Sequence, residues 1–172
     1  MYSPYSEIYL QERQQKDKYE GIGMEYEGMP EDKWPKLYIK WDLRPENFHY
    51  SLDGENADSV LKLYKNGFSI GKASIGDIYE NLFKNSIVGN SNDFWNVCDK
   101  RKACGVLGRW KEKELITPPI IRPYNNELII AGGNHRFNVA RLAGTKEITF
   151  ITPTEDVDKI SSIIPNVSWL PD

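Results

Sequence analysis

A glycine-rich turn followed by basic side chains is the part of this sequence best suited to chemistry on a phosphate group. It reads Gly132-Gly133-Asn134-His135-Arg136 and lies between an apolar stretch and a helical pattern. Its backbone N–H groups are therefore expected at a helix N-terminus, where unpaired donors and the helix dipole attract anions. Arg136 offers a bidentate donor to phosphate oxygens, and His135 can donate a hydrogen bond or carry a proton near neutral pH. The pattern predicts an anion site; the alternative is an ordinary solvated helix start.

Other reactive side chains are scarce. The 172 residues include two Cys and two His, so a Cys₄ or Cys₃His zinc site within one chain is excluded. Cys98 and Cys104 are six positions apart and flanked by basic residues, which favours free thiols over a disulfide scaffold. We name no metal ligands among the side chains, and we predict a cytoplasmic location. The sequence has neither a membrane-length apolar segment nor a secretory leader pattern.

The charge balance argues against a protein that coats duplex DNA. There are 22 Lys and Arg against 25 Asp and Glu, which gives 22 − 25 = −3. One local basic run could still contact a nucleic-acid backbone, with two tryptophans nearby for stacking. The alternative, which we favour, is a solvated helix face. The candidate contacts are Lys100, Arg101, Lys102 and Arg109.

A second glycine-containing segment, residues 67–74, is similar to a phosphate-binding P-loop but departs from its spacing. Three residues instead of four separate Gly67 from Gly71, and Ala73 follows Lys72 where Ser or Thr is needed. We interpret this segment as a loop that leads into a helix beginning after Ser74.

The elements that position the turn follow from hydrophobic periodicity and from residues that break helices and strands. Residues 1–36 are predicted to be an N-terminal extension, with a helix over 6–20 and a loop after it, packed on the rest through Tyr and Met side chains. Residues 37–172 form the domain. One helix is expected after Asn56 or Asp58, with Val60, Leu61 and Tyr64 facing inward. Further helices are expected after Ser74, over 93–109, from 134 to about 143, and from 154. Strands are expected at 37–43, 120–123, 128–131 and 147–152, with a turn at Asp53-Gly54.

The stretch AGGNHRFNVARLAG, followed by EITFI, resembles the signature of the ParB/sulfiredoxin-like superfamily. The matching positions are Gly133, His135, Arg136, Ala140, Arg141 and Gly144. The resemblance implies an α/β (α+β) domain, in which helices flank a small mixed sheet. It also implies that a nucleotide or another phosphate group binds on this loop. The implied binding residues are Gly132, Gly133, Asn134, His135, Arg136 and Arg141.

The sequence departs from the family pattern at the position where the reactions of the family differ. Asn134 stands where sulfiredoxins have a nucleophilic Cys, so sulfinic-acid reduction is not expected. The Glu and the second Arg of the partition proteins are also missing. The leading expectation is an ATP-using phosphotransferase, nucleotidase or nuclease. Its cofactors are ATP or another nucleotide and Mg²⁺, and its catalytic residues are His135 and Arg136. The alternative is a non-catalytic regulator of phage or plasmid type that binds DNA or a protein.

Overall fold

A computed structural model describes residues 4–52 and 55–171 of the chain, with Pro4 and Tyr5 described by their backbone alone. The described residues form seven α-helices, several short 3₁₀ turns and five strands. The helices are α1 (Pro4–Gly23), α2 (Ala57–Leu63), α3 (Ile75–Glu80), α4 (Ser91–Val97), α5 (Lys100–Lys111), α6 (Asn134–Leu142) and α7 (Val157–Ile163). The strands are β1 (Phe68–Ser74), β2 (Ile120–Tyr124), β3 (Glu127–Gly132), β4 (Glu147–Pro153) and β5 (Ser168–Trp169).

The five strands form one mixed sheet in the order β3-β2-β4-β1-β5. β1 and β4 pair antiparallel along their whole length, whereas β2 and β4 are parallel and paired at Ile120 and Ile151. The β2–β3 hairpin turns at Asn125, whose φ is 53°. The small mixed sheet with flanking helices confirms the fold class expected from the sequence.

The main core joins the sheet to α5 and α6. Phe137 and Ala140 of α6 and Leu107 and Trp110 of α5 have no exposed surface, and neither has Phe150 of β4. Because α6 is anchored through these side chains, the turn before it is held between the sheet and the helical layer. This packing fixes the position of the predicted anion site.

The strand β1 was not expected, since residues 67–74 were interpreted as a loop. Gly71 lies in its middle, where a strand usually avoids glycine. A side chain at this position would meet the rings of Phe150 and Trp169, at 2.6 and 2.9 Å from an ideal Cβ. The glycine makes room for two aromatic rings from distant parts of the chain, and the loop interpretation was wrong.

The strand predicted at 37–43 is also wrong. This segment is extended but contributes only an isolated bridge between Trp41 and Ile116. The Tyr38 N–H donates to the Trp110 carbonyl at 3.0 Å, so the segment runs beside the C-terminal end of α5 and not along the sheet.

The helical predictions needed two smaller corrections. The run predicted over 93–109 divides into α4 and α5 at residues 98–99, and both Gly105 and Gly108 lie inside α5. In α2, capped by the side chain of Asn56, Val60 is buried but Leu61 is 67% exposed and does not face inward. The predicted turn at Asp53-Gly54 lies outside the described residues.

The N-terminal helix is longer and more closely packed than its polar sequence indicates. It extends over 4–23, and its C-terminal part lies against α5. Neither Gly108 nor Gly23 has room for a side chain, because the backbone carbonyls of Tyr19 and Cys104 lie against them. Tyr19 is buried as expected, but Met24 and Met29 are exposed.

Among the helices in the described ranges, none combines the length and apolar character that crossing a membrane requires.

Candidate functional site

The glycine turn connects the end of β3 to the start of α6, as the sequence predicts. Gly133 has φ 79°, in the left-handed region that glycine tolerates, and it is the N-cap residue of α6. Gly132 lies directly against the backbone carbonyl of Ser51, which leaves no space for a side chain. The fold therefore requires glycine at both positions, in addition to the predicted role of letting a phosphate come close to the backbone.

The first turn of α6 has the electrostatic character of an anion site. In this fully described helix no side chain caps the N-terminus and the first turn contains no acidic residue. The first intrahelical bond runs from the Phe137 N–H to the Gly133 carbonyl at 3.0 Å. The preceding N–H groups, from Asn134 to Arg136, belong to the turn whose donors an α-helix leaves without intrahelical acceptors.

Arg136 is held in a fixed orientation beside this turn. Its Nη1 donates to the Thr117 carbonyl at 2.8 Å, to Thr117 Oγ1 at 2.6 Å and to Ser51 Oγ at 3.2 Å. Ser51 Oγ in turn donates to the Pro118 carbonyl at 2.6 Å, and Ser51 and Thr117 are both buried. The Nη2 group makes a longer, exposed contact of 3.4 Å to the Tyr50 carbonyl. Nη1 is thus anchored in the protein and Nε is buried, while the Nη2 contact lies at the surface.

His135 makes a bond that the sequence did not reveal. Its Nε2 accepts from the Asp99 N–H at 3.0 Å, at the residue that caps α5. An accepting Nε2 requires the neutral imidazole with its proton on Nδ1. Backbone hydrogen bonding from Lys102 is the largest cause that lowers the pKa of Asp99. In this arrangement His135 connects the N-terminal ends of α5 and α6, and its Nε2 is occupied by the hydrogen bond from Asp99.

Arg141 lies away from the turn. It is at the other end of α6, which is about 13 Å long. Its Nη2 donates to the carbonyls of Val88 and Gly89 at 2.8 and 2.7 Å, and its guanidinium lies 4.4 Å from the centre of the Tyr79 ring. Burial lowers the pKa of this guanidinium. The structure brings Gly132, Gly133, Asn134, His135 and Arg136 together, but not Arg141.

The basic run on α5 mostly contacts α1. Arg101 Nη2 lies 2.8 Å from Glu20 Oε2, and Lys100 Nζ lies 3.9 Å from Glu27 Oε1. The guanidinium of Arg109 covers the Tyr19 ring at 4.8 Å from its centre. Lys102, which is half-buried near the N-terminal end of α5, also has contacts within the protein. Acidic and aromatic side chains of the N-terminal segment therefore already face much of this predicted nucleic-acid surface.

Three residues around Arg136 were missed from the sequence: Ser51, Thr117 and Tyr50. The Tyr50 ring stacks against His49 at 4.1 Å, and its hydroxyl donates to Glu12 of α1 at 2.8 Å, which is the largest cause raising its pKa. Ser51 and Thr117 are 85 and 19 positions from Arg136. No local pattern marks them, although the two prolines after Thr117 indicate a fixed backbone there.

The chemistry open to this turn is the binding of an anion by backbone N–H groups and one oriented guanidinium. Within residues 4–52 and 55–171, no group of three or more His, Cys, Asp and Glu side chains is arranged to hold a metal ion. A groove of about 510 Å³ lies elsewhere, beside the C-terminal end of α6.

Comparison of the chain with protein-family models, with curated proteins and with solved structures finds no match.

Proposed function

We propose that this protein binds the phosphate group of a nucleotide at the turn formed by residues 132–136. The observation that supports this proposal best is the anchoring of Arg136 by Thr117 and Ser51 at the start of α6. An arginine whose orientation is already fixed loses less conformational freedom when it binds an anion. The helix dipole favours negative charge at the same place.

Different residues have different tasks in this proposal. Backbone N–H groups at Gly133 and Asn134 approach the phosphate oxygens, and the positive charge of the Arg136 guanidinium lies beside them. His135 keeps the turn in register with α5 through its bond to the Asp99 N–H. For His135 to act as a proton carrier through Nε2, that bond must first open. The geometry therefore supports binding more directly than catalysis.

Nucleotide hydrolysis or phosphoryl transfer remains a prediction, as does the ParB/sulfiredoxin-like affiliation on which the nucleotide was inferred. Where Mg²⁺ takes part, the phosphates themselves supply ligands beside one or two carboxylates. A cytoplasmic location also remains a proposal. The two cysteines are not paired with each other, which suits a reducing compartment.

The variant Asn134→Asp tests the binding site and removes only the long contact of 3.5 Å from Asn134 Nδ2 to the Ile130 carbonyl. Asn134 is exposed in the first turn of α6, where an added carboxylate stabilises the helix by roughly 0.3–1 kcal/mol. The same carboxylate repels a phosphate. We expect calorimetric titration with ATP, with and without Mg²⁺, to show at least about tenfold weaker binding, corresponding to about 1.4 kcal/mol. Urea denaturation should show unchanged or higher stability.

Asn92→Asp is the matched control, because Asn92 is an exposed residue in the first turn of α4. It adds the same charge at another helix and should leave ATP binding unchanged. Equal affinity of wild type and Asn134→Asp would contradict the proposed site. Release of phosphate from ATP by the wild type, lost in Arg136→Gln while folding is retained, would add catalysis to binding.

A further inference from the structure

A groove of about 510 Å³ lies at the end of α6 opposite the phosphate site. One wall is the extended segment 34–41, which contributes Trp34, Leu37, Ile39 and Trp41. The other wall is the connection from α6 to β4, including Gly144 and Glu147. Its volume is in the range of sites that bind small molecules, roughly 300–1,000 Å³. The segment that forms the first wall packs on α5 and does not belong to the sheet.

The two indole rings on the first wall are fixed by the protein and remain partly exposed. Trp34 Nε1 donates to the Met29 carbonyl at 2.9 Å, and its ring packs edge to face against Phe94. Trp41 packs edge to face on the buried Trp110, with 5.3 Å between ring centres. Each ring is thus a preformed surface that need not be reordered on binding. Indole faces attract cations through the quadrupole of the ring.

The charged residues that line the groove leave an excess of negative charge. Glu31 and Glu147 contribute two carboxylates, and Lys36 contributes one ammonium group. The Lys36 ammonium lies over the ring of Tyr38, 5.1 Å from its centre, and Tyr38 does not line the groove. Glu147 also contacts Lys72 at 3.0 Å, but both side chains are about half exposed, so water screens this pair.

The backbone adds to the negative potential. The groove reaches Ala143, Gly144 and Thr145, which follow the last turn of α6, and Gly144 ends the helix with φ 86°. The carbonyl end of a helix favours positive charge within its last turn. Ser91 donates a hydrogen bond that lowers the pKa of Glu31, so this carboxylate is ionised at neutral pH. The charge of Arg141 also lowers the pKa of Glu31, and its guanidinium is held by the carbonyls of Val88 and Gly89.

We propose that this groove binds a small organic cation with a flat apolar body, seated on Trp34 and Trp41 between Glu31 and Glu147. This site is separate from the phosphate site and does not depend on it. The indole faces and the aliphatic side chains of Leu37 and Ile39 accommodate the apolar body. The carboxylates and the end of α6 favour its positive charge.

Titration of the full chain with benzyltrimethylammonium, followed by NMR, tests this assignment. The indole N–H signals of Trp34 and Trp41 should shift saturably, and the methyl protons of the probe should shift upfield, as expected over an aromatic face. Benzyl alcohol, which lacks the charge, should bind at least about fivefold more weakly, given the usual strength of cation–π contacts. Benzenesulfonate, which is an anion, should bind more weakly still.

Two charge variants should change the affinity for the cation in opposite directions. Glu147→Gln should weaken benzyltrimethylammonium binding by roughly threefold to fivefold, as expected for one unit charge at close range in water. Lys36→Gln should strengthen it by a smaller factor, because the ammonium group lies over the Tyr38 ring, outside the groove. Glu127→Gln, on an exposed position of β3, is the control and should have no effect. Equal binding of the cation and benzenesulfonate would overturn the proposal. It would equally be overturned if neither probe shifted the two indoles, or if the charge variants left the affinity unchanged.

Discussion

Replacing Gly108 by Ala should loosen α1 from α5, although the same change usually stabilises a helix. Glycine inside a helix costs roughly 0.5–1 kcal/mol relative to alanine. At Gly108, however, a methyl group would collide with the backbone carbonyl of Tyr19, which cannot rotate away as a flexible side chain could. The two helices must therefore move apart, and the packing that is lost outweighs the gain in helix propensity.

The size of the expected loss of stability follows from the surface that the contact between α1 and α5 buries. Tyr19 is only 7% exposed, and the Arg109 guanidinium covers its ring at 4.8 Å. Exposing a large apolar side chain costs about 1.5–3 kcal/mol. Subtracting the gain in helix propensity leaves a net loss of about 0.5–2.5 kcal/mol. Gly105→Ala is the matched control in the same helix, since its nearest neighbour would be the flexible Glu20 Cγ at 3.4 Å. That variant should gain up to about 1 kcal/mol.

Urea denaturation followed by circular dichroism measures both free energies of unfolding. Limited proteolysis adds a local readout, since trypsin should cleave α1 after Arg13 or Lys16 sooner in Gly108→Ala than in wild type. If Gly108→Ala were as stable as Gly105→Ala, the reasoning about the α1–α5 contact would be refuted.

Three other variants or treatments test the roles of particular side chains. Hydrogen bonds, first of all from the Arg44 guanidinium, lower the pKa of Asp42 to about 2, below its unfolded value of 3.8. The stabilisation by Asp42 is therefore complete above about pH 5 and lost as the pH falls toward 2. Because Arg44 is 64% exposed, we discount the shift to about 1–2 kcal/mol lost in Asp42→Asn at pH 7. Urea titrations of both proteins at pH 7 and pH 2.5 measure this, and an equal difference at the two pH values would refute it. Burial raises the pKa of both thiols, that of Cys104 to about 11. Because Cys98 is partly exposed and Cys104 is fully buried, a thiol reagent at pH 8 should modify Cys98 in the native protein and Cys104 only after unfolding. Equal native rates for the two thiols would contradict this. Arg141→Lys should lower the free energy of unfolding by about 1–3 kcal/mol through lost contacts to backbone carbonyls, without changing ATP affinity. If calorimetry showed weaker ATP binding at unchanged stability, Arg141 would belong to the phosphate site and not to the packing of α6.

The region from β2 to β4 could be predicted because its signals are local. Gly133 and Gly144 both adopt positive φ at the two ends of α6, and the apolar residues of this helix are buried as their spacing indicates. Helix caps and helical periodicity involve neighbours within a few residues, so one sequence contains all the information they need.

β1 could not be predicted, because the reason for it lies elsewhere in the chain. Gly71 weakens the strand pattern, and its purpose becomes visible only when Phe150 and Trp169 are placed against it. The segment 37–43 gives the opposite error. Its aromatic and β-branched residues favour a strand, but its backbone meets α5 and Ile116 instead of the sheet.

The candidate site was predicted only as far as its contiguous residues. Gly132 to Arg136 lie together, but Ser51 and Thr117, which orient Arg136, come from distant segments. His135 was assigned to phosphate chemistry on its residue type, whereas its Nε2 bonds to Asp99 at the start of α5. Residue types thus indicated the place of the site, and the long-range contacts determine how each side chain is used.

The most direct test of the central claim is an NMR titration of the backbone amides with ATP at low salt. We expect the amide signals of Gly133, Asn134, His135 and Arg136 to shift most and to saturate together. In Asn134→Asp, saturation of these shifts should need at least about tenfold more ATP, while the rest of the spectrum is retained. If these amides stay unchanged while others shift, or if no signal responds to ATP, a nucleotide phosphate does not bind at the start of α6.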